Sequence, residues 1–123
     1  MTNLSKRNRA NKRRGAAWEV AIRNFLFDAG LKAERVARKG ANDIGDVAVE
    51  MDDGHTFVIE AKDTVRPELA QWIREAQVEA DNYARHKHIS PDFVHPVVIY
   101  KRRQNGVERA YVVMELGDWV DSL

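Results

Sequence analysis

The stretch GDVAVEMDDGHTFVIEAK, residues 45–62, decides the fold of this chain. Two apolar runs, residues 45–51 and 56–62, flank Asp53-Gly54, a residue pair typical of the turn between two antiparallel strands. The second run ends in Glu60-Ala61-Lys62, whose two charged side chains share one face because side chains alternate along a strand. Chance alone supplies roughly one such acid–spacer–lysine triplet in a chain of this composition, so its meaning depends on its surroundings.

The geometry of this hairpin decides whether a second acid joins the triplet. Asp46 begins the first strand and Glu60 lies near the end of the second, so the two residues are neighbours in the sheet. A two-residue turn at Asp53-Gly54 would place Asp46 opposite Ala61, on the wrong face. A three-residue turn or a bulge brings Asp46 and Glu60 to the same face. An active site here therefore requires an irregular hairpin, and the alternative is an ordinary salt-bridged strand edge.

An amphipathic helix is predicted before the hairpin. It begins near Ala16 and ends at Gly30, which suits a left-handed cap. Its apolar residues recur at helical spacing: Trp18, Ile22, Phe25, Leu26 and Ala29. Residues 31–39 then form a weak first strand.

A second helix and a second hairpin follow. Pro67 suits the first turn of a helix that fades near residues 86–88, and its apolar row is Leu69, Ile73, Ala76, Ala80, Tyr83 and Ala84. Residues 97–101 and 110–116 flank Asn105-Gly106, a pair typical of a type I′ turn, and Asp118 caps a last helical turn. The order α-β-β-β-α-β-β predicts an α/β domain with a central mixed sheet of about five strands flanked by helices. All three tryptophans are predicted to lie in the core.

Composition excludes several classes of protein. The chain has 123 residues, 44% of them hydrophobic and 32% charged, which suits one globular domain with a modest core. Without cysteine there is no disulfide, no thiolate zinc site and no cysteine nucleophile. No apolar stretch approaches the roughly 20 residues that span a bilayer. We therefore expect a cytoplasmic protein.

Basic residues are concentrated at the start of the chain. Residues 1–14 carry six Lys or Arg and no acid, whereas the whole chain has a net charge of only +1. This predicts a flexible basic arm followed by a single domain of residues 15–123. The arm suits nucleic acid, and the alternative is a solubilising terminus. The predicted DNA-binding residues are Lys6, Arg7, Arg9, Lys12, Arg13 and Arg14, with Arg38 and Lys39, for which a solvated loop is the alternative.

Two carboxylates and a lysine at one end of a sheet suit metal-assisted hydrolysis of phosphodiesters. Mg²⁺ prefers hard oxygen ligands and keeps several waters, so Asp46, Glu60 and the backbone carbonyl of Ala61 would suffice to hold it. Lys62 would stabilise the developing charge or orient the attacking water.

One residue on each helix extends this site. Glu19 lies one position off the apolar row of the first helix and would look across the sheet toward the metal; the alternative is an i, i+4 ion pair with Arg23. Gln77 lies on the apolar row of the second helix, where its amide would bind the site, a phosphate or a water. The alternative is an amide satisfied within the core.

These motifs, in this order, resemble the PD-(D/E)xK nuclease superfamily. RRGAAWEVAIRNFLFDAGLKAERVARKG (residues 13–40) followed by GDVAV (residues 45–49) is similar to its small archaeal and phage Holliday junction resolvases. The resemblance implies a restriction-endonuclease-like core and a homodimer that cuts four-way DNA junctions with Mg²⁺, or with Mn²⁺ as a substitute, and without an organic cofactor. By position, Asp46 and Glu60 would be metal ligands, Lys62 the catalytic lysine and Glu19 the helix acid. The chain has Ile44-Gly45 rather than a proline before Asp46, and Asp43 is a rival first ligand.

Three functions fit these observations. The first is a metal-dependent junction resolvase, the second a restriction-like or nicking nuclease on linear or flapped DNA, and the third a non-catalytic DNA-binding module of the same fold. All three imply DNA as the partner and no membrane, in the host cytoplasm if the chain is phage-encoded.

Overall fold

The structure is a computed structural model that describes residues 3–37 and 43–123. The helices and strands follow one another in the predicted order. Their bounds are α1 (Asn3–Asp28), β1 (Lys32–Arg35), β2 (Val47–Glu50), β3 (Thr56–Lys62), α2 (Leu69–Lys87), β4 (Val94–Tyr100), β5 (Tyr111–Val113) and α3 (Leu116–Asp121).

The five strands form one mixed sheet in the order β1-β2-β3-β4-β5. The pairs β1–β2, β2–β3 and β4–β5 are antiparallel, and β3–β4 is parallel because α2 carries the chain back between them. The predicted α/β architecture with a five-stranded sheet is therefore confirmed.

The sheet lies between α1 and α2. Trp18 of α1 packs with Val47 and Ile59 on one face, whereas Tyr83 of α2 packs with Val58 on the other. Since side chains alternate along β3, residues 58, 60 and 62 all point toward α2. None of the helices described in residues 3–37 and 43–123 is long and apolar enough to cross a membrane.

The hairpin between β2 and β3 has the irregular turn that an active site requires. Met51 N donates to His55 O at 2.7 Å, so residues 52–54 form a three-residue turn, and Gly54 takes the left-handed φ of +90°. Val47 consequently pairs with Ile59, one residue away from the register of a two-residue turn.

Helix α1 begins much earlier than Ala16. It starts at Asn3, and its residues before Gly15 are mostly exposed, so the segment predicted as a flexible arm forms the first turns of this helix. These turns contain no proline and are rich in Lys and Arg, which propagate a helix readily once its later turns are packed. The division into an arm and a domain stays a prediction.

The connection between β4 and β5 is longer than the predicted type I′ turn. Gly106 has a φ of −68°, whereas a type I′ turn needs positive φ at both central residues. Residues 101–110 instead form a loop that contains a 3₁₀ turn at Val107–Arg109. Arg103 and Lys101 of this loop pair with the buried Asp63 carboxylate at 3.3 and 3.8 Å, which fixes the loop against the end of β3.

The first residues of α2 and α3 also differ from the prediction. Helix α2 begins at Leu69 with Glu68 as its N-cap, so Pro67 precedes the helix. The N-cap of α3 is Glu115, because α3 already begins at Leu116 and Asp118 lies within its first turn. Two of the tryptophans are buried as predicted, but Trp119 on α3 is 50% exposed, so that its assignment to the core is wrong.

Candidate metal centre and active site

Carboxylates from three segments meet at the end of β3. Asp43, Glu60 of β3 and Glu79 of α2 each offer an oxygen, and these oxygens lie within 4.8 Å of one another. The carboxyl of Asp46 is within hydrogen-bonding reach of Glu60 and belongs to the same group. We call Asp43, Asp46, Glu60 and Glu79 the acid cluster.

Backbone geometry fixes Asp46. Its carboxylate Oδ2 accepts a hydrogen bond from Ala61 N at 2.8 Å, and its own N–H donates to Ile59 O at 3.0 Å. Gly45 before it has a φ of +97°, and a Cβ there would lie 2.5 Å from Val58 Cγ1. Only glycine fits this approach, which explains why glycine precedes the acid. Because a strand residue directs its N–H and C=O to the same side, the Ala61 carbonyl also faces Asp46.

Asp43 is held beside the same turn. Its Oδ1 accepts from Gly45 N at 3.0 Å, and its backbone carbonyl accepts from Asn82 Nδ2 of α2 at 3.0 Å. Asp43 and Asp46 therefore both lie near Glu60, and which of them is the first ligand stays a prediction.

The acid cluster is crowded with negative charge. Burial raises the pKa of Glu60, and the neighbouring carboxyls of Glu79 and Asp46 raise it further. Burial also raises the pKa of Glu79; a hydrogen bond from Glu60 opposes this shift, and the charges of Asp43 and Asp46 add to it. Nearby carboxylates at such a site favour binding of a proton or a cation.

The donor set fits a hard divalent cation. All four side chains supply carboxylate oxygens, which Mg²⁺ and Mn²⁺ accept. Glu79 Oε2 is buried without a hydrogen-bond partner in the described part of the chain, and such an orphaned oxygen costs free energy unless a ligand meets it. Ligand oxygens around an octahedral Mg²⁺ are spaced by about 3 to 4 Å, close to the spacing of this cluster.

Lys62 stands beside the acids on the α2 face. Its Nζ donates to Glu75 Oε2 at 2.9 Å and lies 4.0 Å from Glu60 Oε1. Gln71 Nε2 in turn donates to Glu75 Oε1 at 3.1 Å and orients that carboxylate. Burial acts to lower the pKa of Lys62, but the hydrogen bond that it donates to Glu75 and the charges of the surrounding acids outweigh it, so the pKa is raised. Lys62 is therefore a fixed cation rather than a proton acceptor.

Glu19 approaches the cluster from α1. Burial and then the charge of Asp46 raise its pKa, which Arg35 lowers from 3.7 Å away. The alternative partner Arg23 instead donates to Ala33 O and Asn24 Oδ1. Glu19 thus pairs with Arg35 and lies within range of the charge of Asp46, and its role as a metal-site acid stays a prediction.

The fold is similar to that of a DNA-processing enzyme. It matches the structure of Hjc, a Holliday junction resolvase from the archaeal hyperthermophile Archaeoglobus fulgidus, with a TM-score of 0.50 and 19% sequence identity. The match covers 82% of this chain and 88% of that one. No protein-family model matches the chain, and neither does a curated protein sequence. At this identity the likeness concerns the fold.

Gln77 does not join the cluster. Its Nε2 donates to Glu115 Oε1 at 2.9 Å, near the start of α3, and the residue is only partly buried. Five of the six residues of the predicted apolar row of α2 are buried, and the exception is Leu69, which is 45% exposed. Trp72 and Glu79 complete this buried face, and Gln77 lies at its edge.

Two acids on α2 were not foreseen. Glu79 shares a row with Trp72, Ala76 and Tyr83 at positions i, i+4, i+7 and i+11, and this spacing was a usable signal in the sequence. Glu75 is one helical turn before it, so i, i+4 acids facing β3 were a further sign. Both signals are missed when the face of a helix is assigned from its apolar residues alone.

The basic residues lie apart from the acids. Lys6, Arg7, Arg9, Lys12, Arg13 and Arg14 are all exposed on the first turns of α1, where Arg14 also bonds to Asn11. Since Glu19 follows on the same helix, α1 joins this basic segment directly to the acid cluster. Arg38 and Lys39 lie outside the described residues.

Proposed function

We propose that this protein is a divalent-metal-dependent DNA endonuclease that resolves four-way junctions as a homodimer. One observation supports this most strongly: the carboxylates of Asp43, Glu60 and Glu79 converge near Lys62, which is paired with Glu75, on a fold similar to that of a junction resolvase. The cation is Mg²⁺, for which Mn²⁺ would substitute.

In this proposal Asp46, Glu60 and the Ala61 carbonyl would hold the cation, with Glu79 and Asp43 completing the oxygen set and Glu19 supporting it from α1. These residues would thereby place Lewis-acid chemistry beside the scissile phosphate, which would lower the pKa of a water and offset the phosphate charge. Burial of the Glu60 and Glu79 side chains keeps these carboxylates fixed, so little reorganisation is needed during the reaction.

Lys62 supplies positive charge to the transition state. Its ammonium is positioned by Glu75 and has no tendency to release its proton near neutral pH, because the surrounding acids raise its pKa. It therefore stabilises a phosphate oxygen by charge and hydrogen bonding, and general-base catalysis is left to other groups.

The basic segment of α1 is proposed to bind DNA. Its six cations would contact phosphates, which gives affinity without reading sequence. Because this segment continues into the turn that carries Glu19, DNA bound along it is guided toward the acid cluster.

Cleavage of three substrates tests the proposal against its alternatives. Purified protein in Mg²⁺ is given a synthetic four-way junction, a flapped duplex and a plain duplex of the same sequences. A resolvase cuts the junction fastest, by paired nicks in opposite arms. Preference for the flap or plain duplex would favour a restriction-like or nicking nuclease. Salt-sensitive binding without cutting in Mg²⁺ or Mn²⁺ would contradict the proposal and favour a non-catalytic module.

A further inference from the structure

The second half of the chain leaves a large apolar surface uncovered. Val112 on β5 is 67% exposed, and Leu116 and Trp119 on α3 are 73% and 50% exposed. Together with Met114 these residues line one groove. Val120 and Leu123 follow in the chain and are exposed as well, and we call these six residues the β5–α3 face. Contiguous exposed apolar side chains of this kind mark an interaction site.

Charge excludes nucleic acid as the partner of this face. Residues 110–123 contain three acids and no Lys or Arg. Phosphate backbones require cations, which the chain places on α1 instead. The β5–α3 face is therefore suited to a protein surface.

The two edge strands of the sheet differ in their charge. The edge strand β1 reads KAER, and such charged side chains oppose pairing with another strand. The edge strand β5 reads YVV, without a charge or a proline, and it leaves its outer backbone groups open. Of the two edge strands in the described residues, β5 is thus the one without charged side chains that oppose pairing with a further strand.

We propose that the β5–α3 face is the homodimer interface, in which β5 of each copy pairs antiparallel with β5 of the other. A two-fold contact is self-complementary, so one open edge and one apolar helix serve both copies. The inference rests on the proposed function only for the requirement that two protomers act together.

The charges at the two ends of β5 agree with antiparallel pairing. Arg102 packs over the Tyr111 ring at the start of the strand, 5.1 Å from its centroid, and Glu115 follows its end. Antiparallel strands bring the start of one beside the end of the other. Arg102 of each copy consequently lies near the acidic end of its neighbour.

The pairing leaves both acid clusters intact. Glu60 is on β3, two strands from the β5 edge, and no residue of the cluster belongs to the β5–α3 face. Loss of the dimer and loss of the chemistry are therefore separable.

Disulfide trapping tests the contact directly, because the chain has no cysteine of its own. Opposed residues in antiparallel strands have Cα atoms about 4.5–5.5 Å apart, a separation that a disulfide bridges. Under mild oxidation Val112→Cys is expected to form a covalent dimer. Val78→Cys, at a 59% exposed position of α2 outside the face, is the matched control and stays monomeric on a non-reducing gel. Equal trapping of both variants, or of neither, overturns the inference.

Sedimentation equilibrium gives a second test that does not depend on strand register. The wild type is expected at twice the protomer mass at micromolar concentration, and Leu116→Glu at the protomer mass with an unchanged circular dichroism spectrum. Val78→Glu should remain dimeric. A monomeric wild type, or a dimeric Leu116→Glu, contradicts the assignment.

Cleavage assays on the same samples separate the two proposals. A monomeric wild type that nevertheless cuts DNA in Mg²⁺ would refute the interface and leave the nuclease standing. A dimer that is trapped at residue 112 but inert would refute the nuclease and leave the interface standing.

Discussion

The acid cluster and the β5–α3 face depart from the usual distribution of side chains in opposite directions. The first buries carboxylates, with Glu60 and Glu79 only 8% and 6% exposed, and the second exposes large apolar side chains. Both arrangements cost free energy in an isolated protomer. The carboxylates need a cation and the apolar face needs another protein surface, so each region indicates by its chemistry what completes it.

The largest effect on DNA cutting is expected from removing the positively charged side chain of Lys62. Lys62→Ala should reduce junction cutting in Mg²⁺ by about a thousandfold or more, because it removes charge stabilisation in a site shielded from water. Asp46→Asn should behave similarly. Binding of the junction in Ca²⁺ should stay close to that of the wild type, and Lys87→Ala, an exposed lysine of α2, serves as the control. Undiminished cutting by Lys62→Ala would remove the acid cluster from the mechanism.

Glu79 and Gln77 form a matched pair on α2. Glu79→Gln keeps the shape but withdraws one carboxylate from the cluster, and we expect a loss of roughly a hundredfold in cutting that added Mn²⁺ partly restores. Gln77→Ala removes only the bond to Glu115 and should change cutting by no more than about twofold. Rates measured over a range of Mg²⁺ concentrations check this, and the reverse ranking would restore Gln77 as the site residue.

Disrupting the apolar region should alter how strands are cut and leave the chemistry unchanged. Trp119→Glu places a charge on the β5–α3 face, so paired nicks in one junction should fall by about tenfold relative to single nicks. The rate of single nicking on a flapped duplex serves as the readout for the acid cluster and should not change. A parallel fall in both rates would mean that the two regions are not independent.

The basic segment of α1 belongs neither to the acid cluster nor to the β5–α3 face. Changing it therefore tests DNA binding apart from cutting and from dimer formation. Deleting residues 1–14 should weaken junction binding at least about tenfold and reduce the salt slope by up to about 5, since six cations are lost. The fold should persist because the buried residues of α1 begin at Trp18. Fluorescence anisotropy over a range of salt concentrations measures the slope, and an unchanged slope would mean that DNA lies elsewhere.

The smallest effect concerns stability without metal. The pKa of Glu60 is raised above its ordinary value of 4.5 in the folded protein. Its contribution to stability is therefore fully present below about pH 4.5 and is lost as the pH rises toward the folded pKa. Glu60→Gln removes this loss and should increase the free energy of unfolding in EDTA near pH 8 by about 1–3 kcal/mol.

Urea denaturation at several pH values follows this change. The wild type should lose stability from pH 5 to pH 8 more steeply than Glu60→Gln does, and Mg²⁺ should stabilise only the wild type appreciably. If Glu60→Gln is less stable than the wild type at pH 8 in EDTA, the cluster is not crowded with charge.

Structural features that depend on residues close together in the sequence were predictable, whereas features that depend on packing between distant segments were not. The β2–β3 hairpin was predictable because strand alternation and the Asp-Gly pair act within a few residues. Its three-residue turn was an open alternative, since packing of Gly45 against Val58 sets the register and is invisible in the sequence. The early start of α1 depends on propagation from turns that are packed by the sheet.

The helix residues show the same limit. Glu19 lies beside the apolar row of α1, where the charge of Asp46 raises its pKa, and its role stays a prediction. Glu79 was missed because the buried face of α2 was assigned from its apolar residues, although this acid lies on the same face. Trp119 belongs to an apolar pattern whose side chains are exposed. Such a pattern alone does not distinguish a residue of the core from a residue of an exposed apolar surface.

Diffraction at the manganese absorption edge, from crystals grown with Mn²⁺, tests the central claim most directly. The account predicts an anomalous peak within about 2.0–2.4 Å of carboxylate oxygens from Glu60 and either Asp46 or Glu79, close to the Ala61 carbonyl. A peak bound elsewhere, with the acid cluster left without an ion at saturating Mn²⁺, would contradict it.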